Sequence, residues 1–245
     1  MSLGDRLLEL VASEERAVCF TVLEGERAGA KLLVLLETGE TLGDGPPELA
    51  AHAGEIQRNG VVELAGEKVY AEVYGPPPRL VVFGAVDTAE ALCAAAKLVG
   101  WDTIAVDART AFATPERLPS AGRIVVAWPE DALPELRLDR DTAVVCLNHD
   151  ARFDIPALQG ALASEAFYVG AIGSRKTQAG RREKLLAAGV PEEALARIHG
   201  PAGLDLGADT PAETALAILG EALAARAGRT GRALRDSPTR IHVET

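Results

Sequence analysis

The strongest chemical signal in the sequence is the segment YVGAIGSRK, residues 168–176. An apolar run passes through Gly170 and Gly173 into Ser174, Arg175 and Lys176 at a helix start. Free backbone N–H groups, the positive end of a helix dipole and charge-assisted donors are what an anion such as a phosphate needs. Arg181, Arg182 and Lys184 extend the basic character, against the single acid Glu183. On an acidic chain this island reads either as the seat of one small anionic ligand or as a solvated helix face. A second apolar run ends in Asn148-His149-Asp150, with Asp154 close behind. His149 and Asp150 are the candidate catalytic pair for acid/base work. The alternative is a helix cap at Asp150 with His149 orienting the loop. No further His or Cys cluster completes a metal site, so no metal is expected. Cys146, just before this loop, reads as a buried inert thiol or as a group for sulfur chemistry.

A third turn, Gly84-Ala85-Val86-Asp87-Thr88-Ala89, stands where a dinucleotide fingerprint G-x-G-x-x-G/A would stand. Gly84 and Ala89 fit that pattern. Val86 occupies the position where backbone must approach a diphosphate, and Asp87 adds like charge, so NAD(P) is not expected. Asp107 ends the next apolar run, about where an acid would bind a ribose hydroxyl. The Gly-rich stretch from Gly203 to Pro211 contains Asp205, a further candidate contact, although helix capping explains much of its composition.

The elements that must position these residues follow from apolar spacing and breakers. Residues 6–12 read as a helix, 18–23 and 31–36 as strands, 48–59 as a helix stopped by Gly60, and 61–64 with 68–73 as a hairpin. Gly75-Pro76-Pro77-Pro78 is a stiff connector. Beyond it the rhythm becomes strand–helix alternation. Strands are expected at 80–83, 103–106, 123–127, 143–147 and 168–172. A helix carries Ala89, Leu92, Ala96 and Val99 and is closed by Gly100. A last helix opens on a Thr210–Glu213 capping box, with an apolar face of Leu216, Leu219 and Leu223. The expected fold is α/β: a small mixed N-terminal domain over 1–75, then a Rossmann-like parallel-sheet domain over 79–226, with a flexible tail over 227–245.

Composition narrows the function classes. The chain of 245 residues carries 25 Lys+Arg against 36 Asp+Glu, a net charge of −11. Such an acidic chain is a poor partner for nucleic acid or anionic membrane. No run approaches the ~20 apolar residues of a membrane span, and MSLGDRLLEL lacks the long apolar core of a signal peptide. Three widely spaced cysteines, Cys19, Cys93 and Cys146, argue against a disulfide scaffold and for a reducing, cytoplasmic setting.

Five segments in order, PPPRLVVFGAVDTAEAL, VDARTAFATPERLP, VVCLNHDARFD, YVGAIGSRK and GLDLGADTPAETALAILGEALA, together resemble the XdhC/CoxI family over residues 76–226. The N-terminal part resembles that family in GAKLLV and TGETLG. It departs where the family has Gly-Gly-Cys-x-Glu, since this chain reads Gly43-Asp44-Gly45-Pro46-Pro47-Glu48 without a cysteine. The resemblance implies an accessory protein for molybdenum hydroxylases of the xanthine or carbon monoxide dehydrogenase type. It would bind the molybdenum cofactor (molybdopterin), assist its sulfuration and deliver it to the apo-enzyme, as a homodimer and without turnover of its own. A cysteine desulfurase is the further partner that a sulfuration step calls for. Arg109, within VDARTAFATPERLP, joins Gly84, Asp107, Asn148, His149, Asp150, Asp205 and residues 173–176 as the expected cofactor-binding set. Two readings compete: an NAD(P)-dependent oxidoreductase using His149 and Asp150, and a regulatory nucleotide-binding protein using Asp107 and residues 173–176.

Overall fold

The computed structural model describes residues 2–13, 15–56, 58–148 and 150–237. It divides into two compact units, residues 1–76 with the segment from Arg232 onward, and residues 77–231. Helix α1 (Leu3–Ala12) opens the first unit. It starts earlier than apolar spacing suggests because Ser2 and Asp5 form a reciprocal capping box. Strands β1 (Ala17–Val22), β2 (Lys31–Leu35), β3 (Thr41–Gly43), β4 (Gly60–Leu64) and β5 (Glu67–Tyr74) make an antiparallel sheet in the order β3-β2-β1-β5-β4. The central β1 is buried on both faces. Val18, Phe20 and Val22 pack with Leu49 and Ala53, while Ala17 and Cys19 pack with Leu10.

The helix expected over 48–59 forms as a 3₁₀-helix over Pro47–Glu55. Prolines stand at its cap and first position, no side chain caps it, and the Leu49 N–H donates to the Pro46 carbonyl. Tight i→i+3 bonding therefore replaces the α-helical turn. Gly60, expected to stop that helix, instead opens β4. The β4–β5 hairpin turns on Ala65 and Gly66, both with positive φ (51° and 80°), the two-residue turn whose twist matches antiparallel strands.

In the second unit, strand and helix alternate: β6 (Arg79–Phe83), α2 (Asp87–Leu98), β7 (Asp102–Val106), β8 (Arg123–Val125), α3 (Pro129–Leu136), β9 (Thr142–Cys146), α4 (Ala151–Ala163), β10 (Tyr168–Ala171), α5 (Arg175–Ala187), α6 (Glu192–Leu195), β11 (Ile198–His199) and α7 (Pro211–Arg226). All six strands are parallel, in the order β11-β10-β9-β6-β7-β8. Counted from β6, this is the 3-2-1-4-5-6 order of dinucleotide-binding sheets, with its switch point between β6 and β9. The two-residue β11 is too short to show strand alternation and was not expected from sequence.

Helices cover both faces. Leu80, Val82 and Val145 face α2 and α7, while Val81, Phe83 and Val144 face α3, α4 and α5. The Thr210–Glu213 capping box opens α7 as expected, but its buried face differs. Ala215, Ile218, Leu219 and Ala222 are buried, whereas Leu216 and Leu223 are exposed. The alanines let α7 lie close against Ala89, Cys93 and Ala96 of α2, which selects the 215/218/222 line over the bulkier leucines. Of the 227–245 tail, residues 234–236 form a 3₁₀ turn, and residues 238–245 lie outside the described residues.

Candidate functional site

The carboxyl ends of the parallel strands carry most of the residues singled out above. Gly84 follows β6 with φ +116°, and a Cβ there would lie 3.3 Å from the Asn148 nitrogen across the switch point. Glycine is needed for both the backbone angle and the close approach of the two loops. Val86 packs partly into the cluster beneath α2, so some of the bulk expected to obstruct a diphosphate is tucked into the core.

Asp107, following β7, is 1% exposed. Its Oδ2 accepts from the Ala85 N–H (2.8 Å) and Arg109 Nη2 (2.7 Å), and its Oδ1 from the N–H and Nε of Arg109 (2.9 Å each). Burial alone would raise its pKa, but the Arg109 guanidinium and the two backbone donors hold it below the ordinary 3.8. Both oxygens are thus committed. Asp107 is a brace that fixes Arg109 and the β6–α2 turn, and a ribose hydroxyl would have to displace one of those donors. Arg109 keeps an accessible guanidinium stacked over Phe112, 4.3 Å from the ring centroid, and Arg117 approaches the same ring at 4.9 Å.

After β9, the Asn148 Oδ1 accepts from the Asp150 N–H (3.0 Å). Asp150 caps α4, accepting from the Arg152 N–H (3.0 Å) and from its guanidinium (2.7 Å). Arg152 chiefly, with its backbone N–H, holds the Asp150 carboxyl below its usual range, so at neutral pH Asp150 is a capping carboxylate rather than an acid with a proton to give. Its proposed catalytic partner, His149, lies outside the described residues.

The turn from β10 into α5 is built from behind. Gly173 has φ +120°, and a Cβ there would meet the Thr177 side chain at 2.9 Å. Ser174 caps α5, its Oγ accepting from the Thr177 N–H (3.2 Å). The Gln178 side-chain amide donates to the carbonyls of Ala171 (3.0 Å) and Ile172 (3.3 Å), and Arg181 Nη2 donates to that of Ile172 (3.0 Å). Arg181 is in turn held by Asp154 through a 2.6 Å ion pair, with side chains only 4% and 7% exposed. This corrects the basic island. Arg181 is a buried strut, and Arg182 is paired with Glu192. Arg175 and Lys176 stay exposed on the first turn of α5. Asp205 is exposed in the 203–210 loop and hydrogen-bonds to none of these residues.

Residues 80–222 match the family model described as the XdhC Rossmann domain. The chain belongs to the XdhC family. The XdhC match takes in the parallel sheet from Leu80 onward. Among relatives, the chain is 29% identical over 198 residues to the uncharacterised protein YqeB of Escherichia coli K12, covering 78% of this chain and 36% of that protein. It is 30% identical over 151 residues to a probable xanthine dehydrogenase subunit of Bacillus subtilis 168, covering 62% and 44%. With the molybdenum cofactor insertion chaperone PaoD of E. coli K12 it shares 29% over 153 residues, covering 62% and 42%. The matches thus span less than half of each of these relatives. A Bacillus halodurans crystal structure described as a xanthine dehydrogenase has the same fold, with a TM-score of 0.67 and 24% identity, covering 91% of this chain and 66% of that one.

The XdhC domain also holds a cluster that sequence reasoning missed. Glu221 of α7 accepts from the Tyr168 hydroxyl (2.6 Å), from the Gly203 N–H (2.7 Å), and lies 3.1 Å from His199 Nδ1. Burial pushes Glu221 up, and these partners more than offset it, leaving its pKa below the ordinary 4.5. The available signal was one acid inside the apolar stretch LAILGEALA. The cysteines are all buried. Burial raises each thiol, Cys93 to about 12, and it raises Cys146 despite the nearby Arg181. Such thiols are shielded in this structure, the setting of a buried inert cysteine. Among the described residues, no group of three or more His, Cys, Asp or Glu side chains is placed to hold a metal, and no helix is long and apolar enough to cross a membrane.

Proposed function

We propose that this chain is an accessory factor that binds the molybdenum cofactor as cargo and delivers it to a molybdenum hydroxylase. The observation that carries the reading is the α5 turn. Exposed Arg175 and Lys176 sit at the amino end of a 13-residue helix on the carboxyl edge of the sheet, on a loop braced by Gln178 and Arg181. That edge is where open α/β sheets bind ligands, and this turn suits the terminal phosphate of the pyranopterin. Charge-assisted donors and a helix amino end make the right chemistry for such a group. Arg109, pre-set by Asp107, offers a second cation for the ligand's polar groups. The relatives named molybdenum cofactor insertion chaperone and probable xanthine dehydrogenase subunit support the same role.

In this reading the chain holds and hands over, without turning over a substrate of its own, and acts in the cytoplasm as a homodimer. The burial of its cysteines favours a sulfuration step that uses a partner such as a cysteine desulfurase. The test is anaerobic binding of molybdenum cofactor with NADH titrated in parallel. Wild-type protein should bind the cofactor saturably. The Arg175→Ala/Lys176→Ala double variant should lose more than about 1.5 kcal/mol, over tenfold in Kd. Tight NADH binding with no cofactor retained would replace this proposal with a nicotinamide-dependent oxidoreductase.

A further inference from the structure

The domain holds two tryptophans in opposite settings. Trp101, just before β7, is 3% exposed and packs edge-on against Phe167 at 5.7 Å. Trp128 follows β8 at the carboxyl edge of the sheet and is 45% exposed, the one aromatic among the exposed large apolar side chains of the described residues. A lone exposed apolar side chain is ordinary. This one is set apart by its backing. Its ring lies 5.8 Å from Phe153, which lies 6.2 Å from Phe83, the last residue of β6. Three rings therefore run from the strand at the switch point out to solvent. Phe153 sits in the first turn of α4, so the helix backbone fixes the ring that backs the indole. Pro129, buried at the first position of α3, fixes the backbone that follows.

We infer that Trp128 is a stacking platform for a planar heteroaromatic ring. This rests on the cargo reading above, in which that ring is the pterin. A large ring surface held in place by Phe153 loses little freedom on binding. Base-sized heterocycles stack on aromatic side chains through their π faces without needing a particular hydrogen-bond pattern. An indole is the best such surface among the side chains, and an aliphatic replacement would keep the burial and lose the stacking.

The experiment compares wild type, Trp128→Leu and Trp128→Phe, using pterin-6-carboxylate and isolated molybdenum cofactor as probes, followed by intrinsic fluorescence and calorimetry. In the wild type, both probes should quench the red-shifted emission of the exposed indole and spare the blue-shifted emission of Trp101. Trp128→Leu should bind about tenfold more weakly by calorimetry, equivalent to 1.4 kcal/mol, and Trp128→Phe should recover most of that. Cofactor binding to Trp128→Leu with wild-type affinity would overturn the platform and leave the cargo reading standing. Trp128-dependent binding of the pterin with none of the cofactor would support the platform and overturn the cargo reading. Emission that shifts with protein concentration alone would place a second copy of the chain on the indole and overturn the platform.

Discussion

Asp154→Ala isolates the strut behind the β10–α5 turn. The carboxylate and the Arg181 guanidinium meet at 2.6 Å with almost no solvent access. Deleting the carboxylate leaves a buried cation whose other acceptors are the neutral Gln178 side chain and Ile172 carbonyl. Breaking a buried pair from one side costs about 3–5 kcal/mol. Against a total stability of about 5–15 kcal/mol, that is a large share. Both tryptophans lie within residues 77–231, so tryptophan fluorescence in urea follows that unit alone. With a slope of about 2–3 kcal/mol per molar, the midpoint should fall by about 1–2 M. Replacing the pair by apolar side chains, Asp154→Leu with Arg181→Met, should recover stability to within about 1 kcal/mol of wild type, because no charge is left desolvated. Anion affinity should not recover with it, since Ile172 has lost its Nη2 donor and the turn its rear support. A cost below about 1 kcal/mol for Asp154→Ala, or a double variant no more stable than the single one, would refute the strut.

Three further outcomes follow from the same geometry. Thiol reagents should modify none of the three cysteines in native buffer and all of them in denaturant; rapid native labelling of Cys146 would reopen sulfur chemistry at the β9 edge. Asp107 and Glu221, both held below their ordinary values of 3.8 and 4.5, contribute stability that is full above the unfolded values and lost as pH falls through the lower folded ones. Urea midpoints should therefore drop between pH 5 and pH 3, and Asp107→Asn should flatten that slope; an unchanged slope would mean that Asp107 is not the brace described. Gly173→Ala should cost about 1–3 kcal/mol through its positive φ and the 2.9 Å approach to Thr177, and should weaken anion binding; a neutral result would show that the turn relaxes freely.

Much of this molecule was determined by local sequence. The Thr210–Glu213 capping box, the Ala65-Gly66 hairpin turn, the glycines at positions 100 and 173, and the strand–helix rhythm after Pro78 each depend on residues within a few positions of one another. Backbone angles, caps and periodicity are short-range physics, so they can be read along the chain. The same holds for Arg175 and Lys176 at a helix start. What each charged side chain faces is different, because that depends on partners brought together by the sheet. Arg181 looks like one cation in a basic run, and only folding puts Asp154, 27 residues earlier, against it. Asp107 looks like a ribose ligand until Ala85 and Arg109 take up its oxygens. Glu221 acquires its role only when β11 delivers His199 and β10 delivers Tyr168. The exposure of Trp128 and the burial of Trp101 are likewise tertiary facts. The desolvation that decides whether a group is a strut or a ligand is set by everything packed around it, and tertiary structure alone assembles those surroundings.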